Sequence, residues 1–312
     1  MARAVVVRNG RPSGVTSAGR TRASGRMAKR RRGAERGEGT SEERSGSLPG
    51  ESIEQYRGDR DFVFALARGF SVLLSLSTTR RHMTISQVAR RTGLPRPSVR
   101  RSLHTLERIG FAASDGAHGF YLRPRVLSFS HTYLSASPMA LLAQPVLDRL
   151  SSATQQACAL AVLDGDDVAY LARSLSSPII APQLNVGRRQ PAYCTSVGHV
   201  LLASLPAAPL RRYLAGVRFY PFTAHTIRSI GEVQNAVDKA RATGFAYVSR
   251  QTGPDLCSLA VPVCDRDGAC VAGINVIVHG TVLSATQMTG RFLPALQRAA
   301  ESLGRELPSN AC

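Results

Sequence analysis

The side chains best suited to recognition in this 312-residue sequence fall in two short stretches. The first holds Arg96, Ser98, Arg100, Arg101 and His104, which place three guanidinium groups, a hydroxyl and an imidazole within a few helical turns. An arginine fork can bind O6 and N7 of guanine together, or neutralise a phosphate. The second stretch is Cys194-Thr195-Ser196-Val197-Gly198-His199. If a helix opens near Thr195, the first backbone N–H groups and the hydroxyls of Thr195 and Ser196 converge, with Val197 and Gly198, where a carboxylate can bind. The same residues support a rival reading, a cysteine-dependent acyl-transfer enzyme with Cys194 as nucleophile and His199 as base, the helix start lowering the thiol pKa. That reading finds no third orienting group at a recognisable spacing and leaves the arginines without a role. A binding protein, not an enzyme, is therefore expected.

These residues need elements to hold them. Phe62, Leu66, Phe70, Leu73 and Leu74 recur at helical spacing and predict a helix over 61–76 whose apolar stripe faces a core. Thr84 and Gln87 form a capping-box pair before a second helix, which Gly93 ends. A third helix over 96–109 follows the tight turn. At about 100° per residue its Val99, Leu103 and Leu106 gather within roughly 60°, and its basic residues occupy the other side. Two helices joined by such a turn make a helix-turn-helix, which sets its second helix in a major groove. Asp115-Gly116 then closes a hairpin that serves as a wing, with His118 on it read as solvated. A helical stretch over 126–134 connects to the rest, and Pro138 punctuates it.

Beyond that point the pattern alternates between strands and helices. Strands are predicted over 157–163, 168–172, 246–249, 257–263 and 270–278, and helices over 195–205, 229–243 and 284–303. The fold class is α+β with a mainly antiparallel sheet. The expected division is a basic tail over 1–58, a winged helix-turn-helix over 59–123, a linker helix over 124–138, a sheet domain over 139–307 and a short tail over 308–312.

Charge separates the two halves. The net charge is +19, yet residues 131–312 hold 15 Lys and Arg against 11 Asp and Glu, so the excess lies in front of them. Double-stranded DNA is the partner this distribution favours for the front half. Ten basic and no acidic residues precede Gly33. This tail is read as disordered, and three accounts of it stand: an arm for non-specific DNA binding, a transit peptide, or translation from Met27. No run of about 18 apolar residues occurs, so no membrane span is expected. The six cysteines show neither Cys-x-x-Cys pairs nor metal-ligand spacing with histidine, which fits free thiols in a reducing cytoplasm, with no metal or cofactor.

The ordered set Ala65-Leu66-Ala67-Arg68-Gly69-Phe70, Val88-Ala89-Arg90, Gly93-Leu94, Arg100-Arg101-x-Leu103, Pro124-Arg125-Val126-Leu127, Pro191-Ala192-Tyr193-Cys194-Thr195-Ser196-Val197-Gly198 and Ala260-Val261-Pro262-Val263 carries a family resemblance. Over roughly 59–307 the chain resembles the IclR transcriptional regulators, and most of all their subgroup controlling aromatic-acid catabolism through the β-ketoadipate route. The resemblance implies a DNA-binding homodimer or homotetramer whose C-terminal domain is GAF-like and senses a small organic acid. It also implies that Ser249, Ser258 and Asn275 belong to the effector pocket, together with the start of the helix at Thr195. Two positions depart from the family's usual pattern. Pro95 stands where a capping hydroxyl is common, and 249–255 carries Arg250 and Gln251 where acidic residues are common.

Overall fold

The computed structural model describes residues 53–76, 82–116, 119–175 and 185–308. The basic tail as far as residue 52, His118 and Cys312 lie outside these residues; residues 53–58, expected to belong to that tail, are described, with Ile53 buried and Tyr56 stacked on Phe62.

The front half is built from three helices and a small hairpin. Helix α1 spans Phe64–Ser75, α2 Ile85–Thr92 and α3 Arg96–Arg108. The capping box at the start of α2 is present: Gln87 N–H donates to Thr84 Oγ1 at 3.3 Å, and Thr84 N–H donates to Gln87 Oε1 at 2.8 Å. Gly93 ends α2 at φ +70°, a left-handed conformation that costs glycine little. Helix α3 then turns Val99, Leu103 and Leu106 inward, where they meet Val72, Leu76, Met83, Val88 and Leu94. Strands β1 (Ala112–Ser114) and β2 (Phe120–Leu122) form the wing, and Met83 adds a bridge to Phe120.

Helix α1 departs from expectation in its orientation. Its buried residues are Ser71, Val72 and Ser75, whereas Leu66 is 59% and Phe70 43% exposed. Of the stripe predicted to face the core, Leu73 packs against it, whereas Leu66, Phe70 and Leu74 point outward. Small serines let α1 approach α3 closely, and the Ser75 hydroxyl satisfies itself on the Val72 carbonyl at 2.6 Å. Hydrophobic spacing identified the helix correctly but could not say which of its two apolar sides the core would take.

After a turn of 3₁₀ helix at Pro124–Val126 come α4 (Leu127–Ala136) and α5 (Pro138–Thr154). Helix α5 was not anticipated, because Pro138 reads as a stop. It is instead the first helical residue, where a proline lacks only an N–H that would have gone unpaired. Ser137 caps this helix by accepting from the Ala140 N–H.

The sheet comprises β3 (Ala157–Asp164), β4 (Asp167–Ser174), β5 (Arg189–Pro191), β6 (Ala246–Ser249), β7 (Leu256–Cys264) and β8 (Cys270–His279). All neighbours are antiparallel, in the order β5-β4-β3-β8-β7-β6. One face packs on α5 and the closing helix α9 (Ala285–Glu306), through Leu147, Leu150, Ile274, Phe292 and Leu296. The other face packs on α6 (Ser196–Ser204), α7 (Ala207–Gly216) and α8 (Ile230–Thr243), through Val197, Leu201, Leu214, Val233 and Val237. Helix α6 lies unusually close. A Cβ on Gly273 would come within 2.8 Å of Val197 Cγ1, and one on Gly198 would collide with the Ala192 carbonyl.

Candidate nucleic-acid interface and ligand cavity

The burial of Val99 and Leu103 fixes the rotation of α3 and so decides which side chains leave the protein. Arg96, Arg100, Arg101 and His104 are exposed, and Ser98 is half-buried. They do not form one row. Arg96, Arg100 and His104 follow each other at four-residue spacing and make a single ridge. Ser98 and Arg101 turn toward α1, where they line a groove of about 790 Å³ together with Leu66, Phe70 and Phe129. Pro95 occupies the N-cap and offers no side-chain acceptor, so the first turn of α3 has no side-chain cap. The far end is held by Arg125. Its Nη1 donates to the Ile109 carbonyl at 2.8 Å, and its guanidinium lies 5.5 Å above the Phe111 ring.

The second site is a cavity between the start of α6 and the sheet. Thr195, Ser196, Ser258 and Asn275 line it, together with Cys194 of the rival enzyme reading and with Tyr170, Gln190, Val248 and Thr252, which the sequence did not single out. Thr195 is the N-cap of α6, and its hydroxyl oxygen accepts from the Gly198 N–H at 3.0 Å. That leaves the N–H groups of Ser196 and Val197 as the uncapped donors at the helix start. The Ser258 hydroxyl donates to Ser196 Oγ at 2.8 Å, so the Ser196 proton remains to be given elsewhere. Val197 and Gly198 contribute backbone and packing, not lining side chains. Ser249 requires correction: Val248 is buried on the cavity side of β6, so strand alternation turns Ser249 to the opposite face.

The interior of this cavity measures about 20 Å³, room for about one water and too small for an aromatic acid. Its outer wall is the loop 250–255. Thr223 donates to the Arg250 carbonyl at 2.6 Å, Thr226 donates to the Gln251 carbonyl at 2.7 Å, and Arg250 takes a positive φ of 59°. Arg250 itself is exposed, so the charge reversal in this loop places no cation inside the cavity. Of the neighbouring pair Arg188 and Arg189, the second is tied to Asp164 and Asp167. Arg188 alternates with it and acts electrostatically on the Tyr170 phenol.

The residues of the rival enzyme reading are buried and occupied. Burial pushes the Cys194 thiol far above its usual range, with the Asp167 charge adding to the effect. A helix start that lowers a thiol pKa needs an exposed setting, and Cys194 is fully buried. His199 Nε2 lies 2.7 Å from the Tyr193 carbonyl and is engaged there. Among the described residues, no group of three or more His, Cys, Asp or Glu is placed to hold a metal ion.

A helix-turn-helix with an exposed basic ridge, joined to a helix-covered antiparallel sheet with a polar cavity, is the architecture of a ligand-responsive transcription factor. Residues 65–116 match the IclR helix-turn-helix domain and residues 131–305 match the Bacterial transcriptional regulator IclR C-terminal family, so the chain belongs to the IclR family. It is 40% identical over 260 residues to the Pca regulon regulatory protein of Pseudomonas putida, covering 83% of this chain and 89% of that one. It is 30% identical to the p-hydroxybenzoate hydroxylase transcriptional activator of Acinetobacter baylyi, over 81% of this chain and 94% of the relative. The crystal structure of an IclR family transcriptional regulator from Brucella abortus superposes with a TM-score of 0.70 at 25% identity, covering 82% of this chain and 96% of that one.

Burial holds the His199 imidazole below its ordinary pKa, and the Tyr193 carbonyl offsets part of that shift. The unfolded chain therefore takes up this proton first as pH falls. The stability that a neutral His199 contributes is intact above about pH 6.5 and is lost as pH falls from there toward the lower folded value. His199→Gln keeps an N–H for the Tyr193 carbonyl and cannot titrate. Its unfolding free energy should fall less steeply between pH 7 and pH 5, by at most about 1.4 kcal/mol per pH unit. Urea denaturation at stepped pH measures this, and parallel curves for the two proteins would contradict it.

Proposed function

We propose that this protein is a sequence-specific regulator of genes for aromatic catabolism, reading a double-stranded DNA operator with α3 and sensing a small organic acid in the cavity at α6. The observation that carries the reading is α3 itself: its apolar side is wholly buried, while Arg96, Arg100 and His104 stand on an exposed ridge. Relatives named for the Pca regulon and for p-hydroxybenzoate hydroxylase support the choice of pathway. Residues 59–123 serve DNA recognition, 124–138 connect, and 139–307 hold the ligand. Among the described residues no helix is long and apolar enough to cross a membrane, and a role on DNA supports a cytoplasmic location.

The effector's carboxylate sits at the uncapped N–H groups of α6 with the Ser196 hydroxyl, where a helix start favours an anion. Admission of the acid opens the loop 250–255, whose threonine latches hold the small closed cavity. A second copy of the chain docks on the outward apolar face of the front half. Val63, Leu66 and Phe70 are exposed there, as are Leu127, Phe129 and Tyr133 on the following helix. Continuous apolar exposure of this kind marks an interface. Two-fold pairing sets two copies of α3 on successive turns of the major groove.

Three measurements test these readings. Arg100→Ala should weaken operator binding by about 1–3 kcal/mol and random DNA much less; equal losses on both would make Arg100 a phosphate contact only. Phe70→Lys should shift sedimentation velocity from dimer to monomer, and an unchanged dimer would place the interface elsewhere. In a thermal-shift screen of the full chain with protocatechuate, 4-hydroxybenzoate, β-ketoadipate and muconate, at least one acid should raise the melting temperature. At 100 times its dissociation constant such a ligand adds about 2.7 kcal/mol of stability. Ser196→Ala should then cost that acid roughly 10- to 150-fold in affinity while leaving operator binding intact. If Ser196→Ala binds it normally, the carboxylate lies elsewhere.

A further inference from the structure

The hairpin joining β7 to β8 holds two thiols opposite each other. Its turn is pinned from both sides. Asp265 N–H donates to the Ala269 carbonyl at 2.9 Å, Gly268 N–H donates to the Asp265 carbonyl at 3.0 Å, and the Asp265 carboxylate accepts from the N–H groups of Asp267 and Ala269. Gly268 takes a left-handed φ of +80°, as a turn of this kind requires. Just outside the turn, the ladder passes from Val263 opposite Ala272 to Cys264 opposite Cys270. The bulge that skips Val271 is what brings the two cysteines into register. Direct antiparallel partners have Cα atoms about 4.5–5.5 Å apart and side chains on one face, within the roughly 4.4–6.8 Å that a disulfide spans. The Cys264 thiol already hydrogen-bonds the Cys270 side chain. Cys264 is exposed and Cys270 half-buried, whereas the other described cysteines, Cys158, Cys194 and Cys257, are buried.

We infer that Cys264 and Cys270 form an oxidisable dithiol, a modification site at which a hydroperoxide closes a disulfide across the hairpin. The exposed Cys264 meets the oxidant first. Its thiolate attacks one peroxide oxygen, the O–O bond breaks, and the departing hydroxide takes up the thiol's proton as water, leaving a sulfenic acid. Cys270 sulfur then attacks the Cys264 sulfur, the S–O bond breaks, and a second water leaves with the Cys270 proton. Two thiols and one hydrogen peroxide thus become one disulfide and two waters, the sulfurs losing the two electrons that the peroxide gains. Partial burial and the neighbouring Asp265 charge hold the Cys264 thiol above its ordinary range. Thiolate is therefore scarce at neutral pH, and the pair rests reduced until oxidant is in excess, as suits a transient cytosolic disulfide. The bond forms on β8 just ahead of Gly273, the residue on which α6 is seated.

Peptide mapping of the full chain tests this. The reduced protein is treated with excess hydrogen peroxide at mildly alkaline pH, unfolded in an alkylating agent and digested with trypsin, which cuts after Arg266 between the two cysteines. Peptides 251–266 and 267–291 should appear linked, at their summed mass less two hydrogen atoms, and should separate on reduction. Fragmentation should place the bond on Cys264 and not on Cys257, and Cys312→Ser should leave the result unchanged. Cys270→Ser should leave the Cys264 sulfenic acid unresolved, so that dimedone captures far more of it than in the unsubstituted chain. Cys264→Ser should leave Cys270 free to alkylate. Should either variant fail to fold, the map of the unsubstituted chain carries the test. No linked pair with both thiols still alkylating, a bond from either cysteine to Cys312 or to another chain, or equal dimedone capture with and without Cys270 would overturn the inference.

Discussion

Helix α6 can lie against the sheet only because two residues bring no side chain to the contact. Gly273 leaves room for Val197 Cγ1, and Gly198 leaves room for the Ala192 carbonyl at the turn preceding the helix. Close approach of a backbone is the use to which glycine is suited. With α6 seated this way, its first turn points at the cavity, Thr195 caps one N–H, and Ser196 comes within hydrogen-bonding distance of Ser258 on β7. The same seating buries His199 and Cys194, which accounts for the shifted titration of both. A single packing contact thus shapes the cavity and buries both residues of the rival enzyme reading.

The front half obeys a comparable constraint with a different outcome. Its small core accepts one side of α1 and one side of α3. For α3 the other side is basic, and exposure makes it useful to a polyanion. For α1 the other side is apolar, and Leu66 and Phe70 stay exposed on it. Arg125 links these halves physically, since it grips the end of α3 through the Ile109 carbonyl from the segment that leads into α4. A shift of that segment therefore reaches the recognition helix directly.

The cavity's polarity is arranged in a chain of neutral groups: Gln190, Tyr170 and Asn275 on one side, Ser196 and Ser258 on the other. Of the nearby cations, Arg189 is committed to Asp164 and Asp167 and Arg250 lies outside, while the half-buried Arg188 acts on the Tyr170 phenol. The neutral lining leaves one group unmatched, Asn275 Oδ1, which has no hydrogen-bond partner.

The sequence by itself determined the elements whose signals are local. The capping box at Thr84 and Gln87, the glycine stop at Gly93, the inward row Val99, Leu103 and Leu106, and five of the six strands of the sheet, β5 excepted, appear within a few residues of their expected bounds. Each rests on periodicity or on a cap, and both are read within one or two turns of chain. It also placed the carboxylate-competent helix start at Thr195. Choices made between segments were not legible. Helix α1 carries two apolar sides, and only the packing of α3 decided that Val72 and Leu76 go in while Leu66 and Phe70 go out. Ser249 is turned from the cavity by the alternation of β6 relative to Val248, which depends on which face of the sheet meets α6. Tyr170 and Gln190 join the site through pairing of β4 with β5, across 20 residues of sequence, and Asn275 joins them from β8. A polar residue in an apolar strand reads alike whether it is satisfied or not; its partners come from other strands, and only the assembled sheet shows which of them are missing.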